Sequence, residues 1–164
     1  MKTPDRRGTR TTAPGRIELR IDEPRWRAAD LALLRRAARL TLLGAQRNGR
    51  LTVLLTGDDR LCALNTQFRG KAKPTNVLSF PSPVPADGYL GDIAIALGAT
   101  EREAAAARKS LSGHAAHLVV HGVLHLLGYD HQSAREARAM ESLEVVILKQ
   151  MGIENPYAIP MAAE

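Results

Sequence analysis

Three of the five histidines fall inside one short stretch, HGVLHLLGYDH, as His121, His125 and His131. On a helix, residues four apart share a face and lie about 6 Å apart along the axis, so His121 and His125 can turn their imidazoles onto one ion. Gly128 permits a sharp turn at the helix end, and His131 can then swing back as a third ligand. Three protein nitrogens with a fourth position open is the arrangement of a catalytic zinc rather than a structural one. One divalent ion, Zn²⁺, is therefore the expected cofactor, and metal-assisted hydrolysis is the expected chemistry.

His114 and His117 precede this pair on the same helical segment. A helical wheel places all four histidines in a stripe about 80° wide, with Val119, Val120, Val123, Leu124, Leu126 and Leu127 on the opposite arc. His114 is about 16 Å along the axis from His125, too far to share its ion. His117, one turn before His121, is expected to support a ligand or face substrate. The spacing matches the zinc-protease pattern H-E-x-x-H-x-x-G-x-x-H at every position except 122, which is Gly where the proteases carry their general base. A metallopeptidase reading keeps the metal and loses the base. Gly in a helix interior costs about 1 kcal/mol relative to Ala. Gly122 is thus expected to mark the close approach of another backbone or of substrate.

A second segment, FRGKAKPTNVLSFP (68–81), puts Arg69, Lys71 and Lys73 within five residues. A guanidinium grips phosphate bidentately and can stabilise the extra charge of a phosphoryl transition state. The competing reading is a solvated basic loop. Thr75, Asn76 and Ser79 can add neutral donors to a groove, although backbone structure accounts for them nearly as well.

These two segments, with LNTQFRGKAKPTNVLSF, GDIAIA, HAAHLVVHGVLHLLGYDH, MESLE and NPY in the same order, resemble the YbeY family of bacterial metal-dependent endoribonucleases. The resemblance covers most of residues 50–157; the first 50 residues agree only in element order. It implies a zinc-type ion on His121, His125 and His131. It implies cleavage of single-stranded RNA, with roles in maturing the 3′ end of small-subunit rRNA and in ribosome quality control. It also implies that Arg69 works in the active groove. The ribosome or its small-subunit proteins follow as partners. Arg69 and His121 are the expected catalytic residues, with Asp130, His117 and Asn76 beside the ligands or along the groove. Asp130 is expected to orient a ligand imidazole. No general base is evident; hydroxide on the ion, Asp130 and the RNA 2′-OH are the alternatives. A metal-stabilised assembly factor that binds rRNA without cutting it is the rival reading.

The elements that must position these residues follow from periodicity and punctuation. RIELRID (16–22), LTVLLT (51–56), NVLSF (76–80) and YLGDIAIA (89–96) read as strands. Pro24 stands where a first helical turn tolerates it, and Trp26, Ala29, Leu33, Ala37 and Leu40 predict one long amphipathic helix to about residue 43. Capping-box spacings at Thr56–Asp59, Thr100–Glu103 and Ser133–Glu136 predict three further helix starts. The helix opened at Thr56 carries Leu61, Leu64 and Phe68. Another, from about 112 to 127, bears the histidines, and the last carries Met140, Leu143, Val146, Ile147 and Met151. PSPVPADG (81–88) is a loop by its prolines. The order predicts a single α/β (α+β) domain over 16–158, with a mixed sheet of about four strands and helices packed on it. The first two strands should be parallel through a right-handed crossover.

The net charge is +6, but residues 1–16 hold five basic groups and one acidic group, so much of that charge belongs to a tail. Residues 1–15 lack apolar periodicity and are expected to be disordered. The tail either adds nonspecific attraction to nucleic acid or has no role. Residues 159–164 read as a C-terminal tail. No apolar run approaches the roughly 18 residues of a membrane span. The lone Cys62 excludes an intramolecular disulfide, points to a reducing compartment and hence the cytoplasm, and reads as a small apolar residue rather than a nucleophile.

Overall fold

Alternation in IELRI puts Ile17, Leu19 and Ile21 on one face and Glu18 and Arg20 on the other, and this segment forms strand β1 (Ile17–Ile21). The structure, a computed structural model, describes residues 16–70, 75–83 and 88–158. Both predicted tails lie outside these residues, as do Lys71 and Lys73. Strand β2 (Arg50–Thr56) pairs parallel with β1, as the crossover rule requires. Strands β3 (Val77–Pro81) and β4 (Tyr89–Ala96) complete a four-stranded sheet in the order β1-β2-β4-β3. β4 runs parallel to β2, and β3 lies antiparallel on the edge. The result is the single-domain mixed sheet expected.

Helix α1 (Leu31–Gly44) packs with α4 (Leu111–Leu126) and α5 (Ala134–Gln150) over one face of the sheet, where Leu34, Val53, Ile93, Val120, Leu124 and Ile147 are buried in one cluster. A smaller cluster of Leu61, Leu78, Ala94 and Ala96 lies on the other face under α2 (Asp58–Arg69). Helix α3 (Leu97–Ala106) follows β4 without a loop.

Four sequence expectations are corrected. The first helix is interrupted: Pro24 opens a 3-10 turn (Pro24–Ala28), and α1 starts afresh at Leu31, capped by Asp30 Oδ1 accepting from the Leu33 N–H at 3.0 Å. The break lets Trp26 turn inward, fully buried, with Nε1 donating to the Thr56 carbonyl at 2.8 Å. Second, α2 is capped by Gly57 without a side-chain bond, not by Thr56. Asp58 instead accepts from the Ala99 N–H at 2.9 Å and from Arg102 at 2.8 Å. Third, Thr100 lies inside α3, its hydroxyl donating to the Ala96 carbonyl at 2.6 Å, because the strand runs directly into the helix three residues earlier. Fourth, Val146 is 55% exposed, and the buried stripe of α5 runs through Met140, Glu144, Ile147 and Leu148. The Ser133 cap stands as expected, accepting from the Glu136 N–H at 3.1 Å.

Candidate metal centre

Helix α4 starts at Ser110, whose hydroxyl accepts from the Gly113 N–H at 3.0 Å. Val119, Val120, Val123 and Leu124 are fully buried, so the histidine front faces away from the core. After Leu126 the chain turns back through Gly128 at φ +95, a left-handed conformation that favours glycine. The Gly128 N–H donates to the His125 carbonyl and the Tyr129 N–H to the Leu124 carbonyl, both at 3.0 Å. This closes the helix and carries His131 over its end. Asp130 Oδ1 accepts from the backbone N–H of His131 at 2.7 Å, which holds the turn. The Asp130 carboxylate thus grips backbone, and its negative charge also acts on the His125 ring.

The three rings converge. Centroids lie 4.6 Å apart for His121 and His125, 5.2 Å for His125 and His131, and 5.8 Å for His121 and His131. One nitrogen from each ring can be chosen so that all three lie within 4.8 Å of one another, and the group can hold a metal ion. Tetrahedral bonds of about 2.0–2.1 Å place ligand nitrogens roughly 3.3 Å apart. His121 Nε2 and His125 Nε2, at 3.0 Å, are already near that spacing.

Glu144 decides how His121 presents itself. This carboxylate is fully buried on α5 and sits 2.6 Å from His121 Nδ1 and 3.1 Å from His117 Nε2, while the Tyr157 hydroxyl donates to it. With its Nδ1–H given to Glu144, His121 keeps the Nε2 lone pair free for an ion, the usual carboxylate–histidine–metal arrangement. Burial alone would raise the Glu144 pKa, but the bonds from His117, His121 and Tyr157 outweigh it and hold it at about 2. Burial, and then the negative charge of Glu144, push the Tyr157 phenol up. His125 is shifted down by burial and by His121 and His131, which favours the neutral imidazole that binds metal.

The remaining expected residues line the same cleft, about 530 Å³ in volume, with Arg69, Asn76 and Ser79 facing His121, His125, Asp130 and His131. Arg69, at the end of α2, donates from Nη2 to the Ser79 carbonyl at 2.9 Å. Ser79 Oγ donates in turn to the Gly122 carbonyl at 3.1 Å, tying β3 to the metal helix. Asn76 Nδ2 donates to both oxygens of Glu103 at 3.0 Å, and Glu103 also meets His114 Nε2 at 2.7 Å. His114 thus belongs to this second carboxylate, away from the triad. A Cβ at Gly122 would meet the Ile93 side chain at 2.9 Å. The glycine therefore lets α4 settle on a core side chain of β4, not on a backbone or substrate as expected. A base at 122 would point into the sheet.

Glu144 and Tyr157 are absent from the sequence-derived site. The signal for Glu144 was present: an acid among Met140, Ile147 and Leu148 at helical spacing must be paired to be buried. Tyr157 carries no such signal alone.

A family model described as Endoribonuclease YbeY matches residues 18–152. The chain is 42% identical to a protein named Endoribonuclease YbeY from Dinoroseobacter shibae, over 88% of this chain and 92% of the relative. It is 43% identical to the one from Jannaschia sp., over 86% and 99% respectively. A solution structure from Thermotoga maritima superposes with a TM-score of 0.56 at 23% identity, covering 90% of this chain and 99% of that one, and supports the fold.

Proposed function

This chain belongs to the YbeY endoribonuclease family, and on that premise we propose that it is a metal-dependent endoribonuclease cutting single-stranded RNA. Its place is in maturing the 3′ end of small-subunit rRNA and in ribosome quality control, in the cytoplasm, with small-subunit ribosomal proteins as neighbours. No helix among the described residues is long and apolar enough to cross a membrane. The observation that carries the reading is the convergence of His121, His125 and His131 in the cleft that also holds Arg69.

His121, His125 and His131 would hold one divalent ion, Zn²⁺ by the all-imidazole donor set. When bound, the ion supplies Lewis-acid chemistry toward a phosphate oxygen or a water. The chain's own residues do the rest. Glu144 fixes the tautomer and direction of His121, and Asp130 fixes the turn that delivers His131. Arg69 spends one N–H on Ser79 and keeps others for the scissile phosphate, where a guanidinium neutralises developing charge. Asn76, braced by Glu103, offers its neighbourhood in the cleft as a neutral wall.

The test compares wild type, His125→Ala and Arg69→Ala for bound metal and for cutting of single-stranded RNA, duplex RNA and casein. The expected result is metal-dependent cutting of single-stranded RNA by wild type, loss of metal in His125→Ala, and retained metal with lost cutting in Arg69→Ala. Bound metal with no cleavage of any substrate would leave a non-catalytic assembly factor instead, and a metal-free wild type that still cuts would sink the mechanism.

A further inference from the structure

On the sheet face opposite the metal helix, a groove of about 780 Å³ runs between α2 and the strands, floored by Leu54, Leu64 and Ala94 and walled by Phe68 and Phe80. Phe68 is 61% exposed, and its ring meets Phe80 edge to face with centroids 5.4 Å apart. We propose that this groove is a base-stacking subsite for single-stranded RNA leaving the metal cleft, a proposal that rests on the endoribonuclease reading above.

Two observations select this occupant. The groove adjoins the metal cleft: Arg69, Ser79 and Pro81 line both. Consecutive β3 residues point to opposite faces: Ser79 reaches toward α4 through its bond to Gly122, and Phe80 faces α2. A single strand leaving the cleft reaches the aromatic pair by crossing β3, the edge strand of the sheet. The second observation is charge. Arg20, Arg60 and Arg69 line the groove against one acid, Asp92, whose carboxylate already accepts from the Tyr89 hydroxyl at 2.6 Å. Arg20 and Arg60 rest on Glu18 and Asp22 in exposed ion pairs at 3.1 Å, which phosphates displace at little cost. An apolar floor with an exposed aromatic wall and guanidinium rim takes unpaired bases on the rings and phosphates at the rim. Duplex RNA keeps its bases stacked inside and gains nothing there.

The test uses the metal-loaded protein and 2′-O-methyl single strands labelled with 2-aminopurine, one of about 12 nucleotides and one of about 4, the span of the cleft alone. Phe68→Ala should weaken binding of the longer strand about tenfold and abolish the quenching that stacking produces, with a much smaller change for the shorter one. Phe68→Trp should restore both affinity and quenching. Equal affinity of wild type and Phe68→Ala for the longer strand, in a protein that still cuts RNA, overturns the groove and leaves the activity standing; a protein-binding role for the face would look this way. Equal losses for both lengths also overturn it. A wild type that neither binds nor cuts any single strand overturns both readings.

Discussion

Replacing Glu144 by Gln isolates the role of one buried charge at nearly constant volume. Glu144 accepts from three donors through two oxygens: His121 Nδ1 on one, His117 Nε2 and the Tyr157 hydroxyl on the other. A glutamine keeps one acceptor oxygen and places an NH₂ at the other position. If the NH₂ faces His121, two donors confront each other and His121 must flip its tautomer, which moves its proton onto the nitrogen aimed at the ion. If it faces the other way, His117 and Tyr157 lose the acceptor that Glu144, fully buried, gave them. The first arrangement costs metal affinity rather than a hydrogen bond; the second leaves the His117 N–H facing another donor, at about 1–3 kcal/mol of stability. Removing the partner of a ligand histidine lowers metal affinity by about 10–100-fold. Glu144→Ala should be worse, since it removes the acceptor of all three donors at once, at about 1–3 kcal/mol for each that stays unpaired. Urea unfolding of the metal-free protein gives the first quantity, and zinc competition with a chromophoric chelator gives the second. A Glu144→Gln protein that unfolds at the wild-type midpoint and binds zinc as tightly would refute the assignment of Glu144 as the group that orients His121.

Other consequences are smaller in scope. Gly122→Ala drives a Cβ to 2.9 Å from the fully buried Ile93; overpacking of about 1–3 kcal/mol should exceed the gain of roughly 1 kcal/mol in helix propensity, giving a lower denaturation midpoint. Arg69→Lys should keep the metal but lower kcat/KM by about 10–100-fold, because an ammonium cannot bond Ser79 and grip a phosphate in the same fork. Burial of Asp58 opposes ionisation, but bonds from Arg102 and the Ala99 N–H outweigh it and depress its pKa. Its stabilising contribution is therefore present above the unfolded carboxylate value near about 4 and fades as pH falls through the lower native value. Asp58→Asn should flatten that acid arm in a pH series of urea midpoints.

Local geometry was readable without tertiary information. The β4 boundaries, the Ser133 cap and the helical register that pairs His121 with His125 depend on residues within a few positions of one another. So does the turn at Gly128. The failures share one cause: packing chose between locally acceptable alternatives. Thr100–Glu103 has the spacing of a helix start, yet the strand ran straight into α3, and Glu103 went instead to Asn76 and His114. Trp26 fits the helical stripe of α1, but burying its ring and satisfying its N–H at Thr56 required the break before Leu31.

By itself, the amino-acid sequence determined that three imidazoles can meet one ion, because a helix of 3.6 residues per turn and a glycine turn bring them together over eleven residues. Only the tertiary structure decided what stands behind and beside them. Glu144 lies 23 positions from His121, and Ser79 lies 43 from Gly122. Those contacts exist because α5 and β3 dock on α4, and docking depends on how the whole chain buries its apolar surface. The expected close approach at Gly122 likewise proved to be to Ile93 on a strand whose position, third in the sheet order, no local pattern encodes.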